Sequence, residues 1–318
     1  MLVSVVIPTL NSAQTLDKCL VSIKANNGRH DYEIIVIDGG SQDGTIEISR
    51  KHAVRVLSED TYFRGVNRNK GIKNSQVEII CFTDSDCTVP ENWIDEIVNG
   101  LLRLHKRDAK IVGVGGGNIP WVENPSFMEQ AITMVIRSPL VAFGSRNVTT
   151  YQEERQVYHN PPMNSAYFKW ALEKVGGFGE EYNIGEDMEL DLKIYEAGYK
   201  LYYLPDILVQ HKHRTTFKKF IRQIYDFGKT RLRLVRQFPV YSKLSRFGQL
   251  FHYGPLILCL MTFTPFIFIP LGMALANSVY IYLKHRAPLT FLPSVFLTMS
   301  FYVSYGVGEI AYLLENKR

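Results

Sequence analysis

The stretch Ile79-Ile80-Cys81-Phe82-Thr83-Asp84-Ser85-Asp86 decides the fold. Its unbroken apolar start reads as a strand buried on both faces, the kind found in parallel sheets. The run ends in two carboxylates one residue apart. Side chains alternate along a strand, so extended backbone would set Asp84 and Asp86 on the same side of its carboxyl end. Ligands of open α/β sheets sit outside the carboxyl ends of the strands. Two acids there invite a hard divalent cation, with a phosphate-bearing substrate completing its shell. The plainer alternative is that Asp84 caps a turn and Asp86 is solvated ahead of Pro90.

Working outward, Val3–Ile7 is a short β-rich run closed by Pro8. It lacks the basic flank of a secretion signal. Thr15 is placed to cap a helix with Leu16, Cys19, Leu20 and Ile23 on one face. Glu33–Ile37 is a second buried strand, ending at Asp38 before the turn Gly39-Gly40-Ser41-Gln42-Asp43-Gly44. Thr45 opens another helix, Val54–Leu57 a third strand, and Arg64–Asn74 a further helix. Beyond the opening stretch, Pro90–Lys106 is an amphipathic helix and Ile111–Val114 a strand running into Gly115-Gly116-Gly117. Strand and helix alternate with short connections, which predicts an α/β fold with a mostly parallel sheet. An acid recurs at a strand end, Asp38 on the second strand and Asp84 and Asp86 on the fourth. That repetition favours a binding edge over a turn cap.

The second region is more broken. Phe127, Met128, Ile132, Val135 and Ile136 form one apolar helix face, expected to be core rather than membrane-facing. Tyr167–Lys174 reads as a helix stopped by Gly176-Gly177. Glu186-Asp187 leads into a helix over Met188–Ala197, and Asp187 and Asp191 lie four apart on one face. Acids at such a start also suit the positive end of a helix. Lys200–Leu204 and Ile207–Gln210 are short strands, followed by His211 and His213. Either imidazole can complete a carboxylate metal site.

The net charge of +5 is unevenly spread. Between His211 and Leu250, eleven Lys and Arg face one acid, Asp226, so the rest of the chain is net acidic. A basic band ahead of an apolar tail points to an anionic membrane surface rather than nucleic acid. Thr216–Gln237 within the band interleaves Phe217, Phe220, Ile221, Ile224, Phe227 and Leu232. That pattern suits either a helix in the membrane interface or one packed on the protein. Leu250–Leu283 and Pro288–Gly308 carry no Asp, Glu, Lys or Arg. Each is long enough to span a bilayer at roughly 20 residues per crossing. Pro265 and Pro270 interrupt the first run, so it is a kinked helix or a hairpin. The hairpin returns Lys284 and Arg286 to the side of the basic band. The four cysteines, Cys19, Cys81, Cys87 and Cys259, form no paired motif, which fits a reducing compartment.

Taken in order, the motifs Val3-Ser4-Val5-Val6-Ile7-Pro8-Thr9-Leu10-Asn11, Val36-Ile37-Asp38-Gly39-Gly40-Ser41-Gln42-Asp43-Gly44-Thr45, Arg68-Asn69-Lys70-Gly71 and Asp84-Ser85-Asp86 resemble glycosyltransferase family 2. Val175-Gly176-Gly177-Phe178, Glu186-Asp187 and Ala197-Gly198-Tyr199 agree. Ser138-Pro139-Leu140, the segment from Arg222-Gln223 to Gly228-Lys229-Thr230-Arg231, and Ser304-Tyr305-Gly306-Val307-Gly308 resemble its succinoglycan-synthesis type.

The resemblance implies a GT-A fold followed by membrane helices, and an inverting transfer from a nucleotide-diphospho-sugar, with UDP the commonest carrier. It implies that Pro8, Thr9, Leu10, Asn11 and Asp38 cradle base and ribose, with Asp84 and Ser85 on the ribose side. Arg68 and Asn69 would lie near the diphosphate, although Asn67 stands where the motif usually has Ala. Asp86 would hold Mg²⁺ or Mn²⁺ with His211 as a further ligand. Asp187, next to Glu186, would be the general base. Residues 1–118 would bind the donor, 119–215 complete the catalytic half, 216–249 lie at the interface and 250–318 enter the membrane. The implied acceptor is a polyprenyl-phosphate-linked or polymeric glycan at the cytoplasmic face of the cell membrane, crossed more than once. Two rival readings are a D-x-D-x-T phosphohydrolase built on Asp84 and Asp86, and a non-catalytic sheet domain on a membrane anchor.

Overall fold

The computed structural model describes residues 2–121, 125–138, 141, 151–181, 184–212, 216–243 and 248–315. The chain divides into two compact units, Met1–Trp121 with Thr149–Lys212, and Val122–Val148 with His213–Arg318.

The first unit is built on one mixed sheet. Its parallel half is β3 (Arg55–Ser58), β2 (Asp31–Asp38), β1 (Leu2–Thr9) and β4 (Ile79–Phe82), side by side in that order. β1, β2 and β4 carry apolar runs buried on both faces, with Val3, Val5, Val6, Ile7 and Ile34 to Ile37 in the core, while the edge strand β3 is only half buried. Helices cover both sides, as parallel strands require. Helix α1 (Leu16–Lys24) buries Leu16, Cys19, Leu20 and Ile23, with Asp17 in its first turn and Lys24 in its last, matching the helix dipole. Thr15 stands at its N-cap, but its hydroxyl turns back to the Ser12 carbonyl instead of capping. Helices α2 (Thr45–Lys51), α3 (Arg64–Asn74) and α4 (Trp93–Arg107) complete the cover.

Beyond β4 the sheet is mixed, not mostly parallel as expected. After the two-residue β5 (Cys87–Thr88), β6 (Ile111–Pro120) and β7 (Arg155–Val157), strand β8 (Ser165–Phe168) enters antiparallel between β4 and β6. It is fed by a tight 3₁₀ turn at Pro162–Asn164 rather than by a crossover helix, so nothing forces it parallel. This corrects the expected helix over Tyr167–Lys174. Tyr167 and Phe168 are strand residues paired with Ile80 and Ile79, and helix α6 is confined to Lys169–Lys174. Helix α7 (Glu186–Glu196) follows, then β9 (Lys200–His211), one continuous strand where two were expected. β6 and β9 pair in parallel.

The second unit is helical. Helix α5 (Phe127–Ile136) opens with a capping box of Ser126 and Glu129. Its Ala131, Ile132 and Val135 join the core formed by α8 (Phe217–Gln237), α10 (Gly248–Thr262), α11 (Phe268–His285) and α12 (Phe291–Glu315), with the short α9 (Pro239–Lys243) between α8 and α10. The apolar face of α8, Phe220 and Ile224, is buried there, while Lys218, Lys219, Arg222 and Arg236 are exposed. Ser138, Asn277 and Thr298 form a buried hydrogen-bonded chain between helices.

The first apolar run is broken over residues 263–267 around Pro265, giving α10 and α11 rather than one kinked helix. At 15 residues, α10 is about 22 Å long, short of a roughly 30 Å bilayer core. Among the described residues one helix, Pro288–Glu315, is long and apolar enough to cross a membrane. The unit leaves Phe263, Phe268, Leu289, Leu292 and Phe296 more than half exposed, an apolar surface of the kind that meets a partner or a lipid phase.

Candidate active site

The carboxyl ends of β1, β2 and β4 lie along one edge of the first unit, with Thr9 opposite Asp38. The loops leaving them are stitched together. The Asn11 backbone N–H donates to Ser41 Oγ at 2.8 Å, and Asn11 Oδ1 accepts from the Gln42 backbone at 2.9 Å. Asn11 holds φ +49, a left-handed conformation that asparagine tolerates. Ser12 and Ser85 share a hydroxyl hydrogen bond of 2.8 Å. Pro8 and Thr9 are buried and Leu10 is exposed. Asp38 is buried, and its carboxylate accepts from the Gly40 and Ser41 backbones at 3.1 and 2.9 Å and from the Thr9 hydroxyl at 3.3 Å. It shapes the loop of this edge.

Asp84 and Asp86 do not continue an extended strand. The chain turns, with the Cys87 N–H donating to the Asp84 carbonyl at 3.0 Å, and the side-chain alternation of an extended strand ends there. The two acids face different partners. Asp84 accepts from Arg68 Nη2 at 2.8 Å. Asp86 lies 3.4 Å from His211 Nε2, since β5 pairs Cys87 with His211 at the end of β9. Burial opposes a charged His211, but the carboxylates of Asp86 and Asp84 prevail and raise its pKa. His213 lies outside the described residues.

Asp86, Cys87 and His211 bring one ligand atom each to within 4.8 Å of the others. Burial, with Asp86 and Asp84 nearby, pushes the Cys87 thiol well up, and a hard cation prefers oxygen and imidazole donors to sulfur. A carboxylate and an imidazole remain. That set fits an ion such as Mg²⁺ or Mn²⁺ that takes few protein ligands and draws the rest from phosphate and water.

Arg68 is the hinge between the two sides of the site. It is 1% exposed and reaches Asp84 with one nitrogen and Glu186 Oε1 with the other, the latter at 2.7 Å. Phe178 packs against its guanidinium, 5.4 Å from the ring centre. This reach depends on Gly65 of α3, where any Cβ would strike the Gly179 carbonyl. Asn69 braces the same junction, exchanging hydrogen bonds with the Phe178 backbone at 2.9 and 2.8 Å and reaching Glu180 at 2.8 Å. Both residues, expected beside a diphosphate, are thus engaged within the protein.

Glu186 and Asp187 begin α7 after Gly185, whose φ of +86 suits glycine alone. Glu186 is buried. Burial and the Asp187 charge push its carboxyl above the usual range, against the pull of Arg68. Asp187 is more open, with a 24% exposed side chain. Behind it stands His159, a residue that no sequence motif marked. Its Nδ1 lies 2.8 Å from Asp191 Oδ2, and its Nε2 lies 3.8 Å from Asp187 Oδ2. The shared helix face of Asp187 and Asp191 was legible; the imidazole between them comes from a distant segment ahead of Asn160-Pro161-Pro162.

The family model for glycosyl transferase family 2 matches residues 4–176. The chain is 26% identical over 316 residues to a dolichyl N-acetyl-α-D-glucosaminyl phosphate 3-β-D-2,3-diacetamido-2,3-dideoxy-β-D-glucuronosyltransferase of Methanococcus voltae, covering 96% of this chain and 95% of the relative. It is 25% identical over 235 residues to the succinoglycan biosynthesis protein ExoA of Rhizobium meliloti, covering 71% and 68%. In fold it is similar to a solved mannosyltransferase of Pyrobaculum calidifontis in complex with GDP-Man and Mn²⁺, with a TM-score of 0.60, 17% identity, and 99% and 88% of the two chains covered.

Proposed function

The chain belongs to glycosyltransferase family 2, and on that premise we propose that it is an inverting, metal-dependent enzyme moving a sugar from a nucleotide-diphospho-sugar, UDP-linked in the first instance, onto a lipid-linked or polymeric glycan. The observation that carries this reading is Arg68, which joins Asp84 on the strand edge to Glu186 beside Asp187. It brings the donor edge and a solvent-reachable carboxylate into one centre. A phosphohydrolase would carry its acidic pair on the first strand, whereas here the pair follows β4. With family membership, that sets aside the phosphohydrolase and the non-catalytic readings.

In this reading Pro8, Thr9, Leu10 and Asn11 hold the base and ribose in the loop that Asp38 shapes, with Asp84 and Ser85 at its far side. Asp86 and His211 would hold the cation. A bound Mg²⁺ or Mn²⁺ neutralises the charge that builds on the leaving diphosphate. Arg68 and Asn69 work from behind: they fix Asp84 and Glu186, and the buried guanidinium adds a positive charge to the field of the site. Asp187 takes the proton of the acceptor hydroxyl. A positioned carboxylate in that role is typically worth about 10²–10⁴-fold. Glu186 keeps Asp187 in place by anchoring the first turn of α7 to Arg68.

The acceptor class is supported by the Methanococcus relative, whose name specifies a dolichyl N-acetylglucosaminyl phosphate. The basic face of α8, the Pro288–Glu315 helix and the exposed apolar side chains near it support attachment to the cytoplasmic face of a cell membrane, with α10 and α11 as further membrane segments. A thermal-shift screen of nucleotide-sugars with Mn²⁺ on the full chain in detergent tests the reading. One nucleotide-sugar is expected to stabilise the protein only when Mn²⁺ is present. Stabilisation by none, with no nucleotide or ion binding in a calorimeter, contradicts it.

A further inference from the structure

Helix α3 carries two arginines one turn apart, and they stand in different surroundings. Residues four apart share a helix face, so Arg64 and Arg68 lie on the same side of α3. Arg68 is sealed in, with its two outer nitrogens given to Asp84 and Glu186. Arg64 is the first residue of the helix and is exposed, and among the described residues no hydrogen bond or ion pair engages its side chain. Its neighbour fixes its place. A Cβ on Gly65 would strike the Gly179 carbonyl and come within 3.4 Å of Glu186 Cβ, so the start of α3 lies against the start of α7, where Glu186 and Asp187 stand. Burial acts most strongly on both the Glu186 carboxyl and His211, and Arg64 also reaches each of them: it pulls the carboxyl down and disfavours the charged imidazole. His211 faces Asp86 at 3.4 Å. One exposed guanidinium therefore acts on the base side and on the ion side of the site together.

We propose that Arg64 binds the sugar-bearing phosphate of the donor diphosphate and holds it as it leaves. The inference rests on the sugar-transfer reading of the same site. Arg68 and Asn69, the residues expected beside the diphosphate, are both engaged within the protein, whereas Arg64 has its donors turned to solvent. A guanidinium presents those donors in a rigid planar fork that matches two phosphate oxygens. In the transfer step the acceptor oxygen gives an electron pair to the anomeric carbon and its proton passes to Asp187. The bond from that carbon to the diphosphate oxygen breaks, and its electrons leave with the nucleoside diphosphate. The diphosphate thus ends with one more negative charge than it carried in the donor. A fixed cation whose attraction grows as that charge builds favours the transition state over the intact donor, which is the condition for speeding the step.

Isothermal titration of the full chain in detergent with Mn²⁺ tests the proposal, using UDP, GDP and dTDP, each beside its monophosphate. The diphosphate that wild type binds most tightly is expected to lose about ten- to a hundredfold in affinity in Arg64→Gln, the scale of a lost hydrogen bond between charged groups. The matching monophosphate, which lacks the sugar-bearing phosphate, is expected to lose far less. Arg64→Lys keeps the charge without the fork and is expected to fall between. Arg64 is exposed and unpaired, so the melting temperature of Arg64→Gln without nucleotide is expected to match wild type, which separates binding from a structural role. A diphosphate bound as tightly by Arg64→Gln as by wild type, or an equal loss for monophosphate and diphosphate, overturns the proposal and leaves the transfer reading standing. A wild-type chain that binds none of the three diphosphates contradicts the transfer reading, and the role of Arg64 falls with it.

Discussion

Arg68 and Glu186, 118 residues apart in sequence, meet at 2.7 Å with both side chains buried. Opposite charges taken out of water are tolerable only while paired. Arg68→Met leaves the buried Glu186 and the half-buried Asp84 beside an apolar side chain. Loss of one partner of such a pair typically costs about 3–5 kcal/mol. The melting temperature should fall sharply at neutral pH and recover in part on acidification, because protonating the stranded carboxyls relieves the penalty. A variant as stable as wild type at neutral pH would show that the guanidinium is not the hinge of the site.

The wild-type pH dependence has a definite sign. The Glu186 carboxyl, ordinarily near 4.5, is raised in the folded state by burial and Asp187. The unfolded chain therefore gives up this proton first. Stability from this group is greatest below 4.5 and is lost as pH rises through the higher folded value. Glu186→Gln keeps an oxygen for Arg68 and removes the titration. Melting curves of the variant between mildly acidic and neutral pH should fall less steeply than those of wild type. Parallel curves would contradict the raised carboxyl.

If Asp86 and His211 hold the cation, Asp86→Asn and His211→Ala should each remove the Mn²⁺-dependent part of the nucleotide-induced thermal shift. Binding that favours the folded state stabilises by about 2.7 kcal/mol at a hundredfold excess over the dissociation constant, so the loss is readily measured. A full Mn²⁺ effect in both variants would move the ion elsewhere.

The parallel half of the sheet was legible because strands buried on both faces leave unbroken apolar runs, as at Val3–Ile7 and Ile34–Ile37. The edge acids were legible for the same reason, each closing such a run. What failed was local geometry just past the strand. Asp84 and Asp86 look equivalent in sequence, yet a turn sends one to Arg68 and the other to His211. Tyr167 misled because a strand leading directly into a helix reads as one helix. His159 was invisible, since only the folding of a distant loop brings it beside Asp187 and Asp191.

In the helical unit, a Cβ on Gly308 of α12 would strike the Tyr225 carbonyl of α8, and one on Gly228 of α8 would strike the Tyr305 carbonyl of α12. The two helices cross with backbones in close approach, as small residues allow. Gly308→Leu should force them apart. The expected result is a lower melting temperature in detergent and new protease cuts between Phe217 and Gln237. Unchanged stability would mean that the crossing contributes nothing.

The central claim is that Asp187 is the base of a sugar transfer assembled across Arg68. Its most direct measurement is the rate of transfer by Asp187→Asn, using the donor found by the thermal-shift screen, beside the variant's Mn²⁺-dependent affinity for that donor. The account predicts a loss of about 10²–10⁴-fold in turnover with donor binding retained. Turnover close to wild type would contradict it.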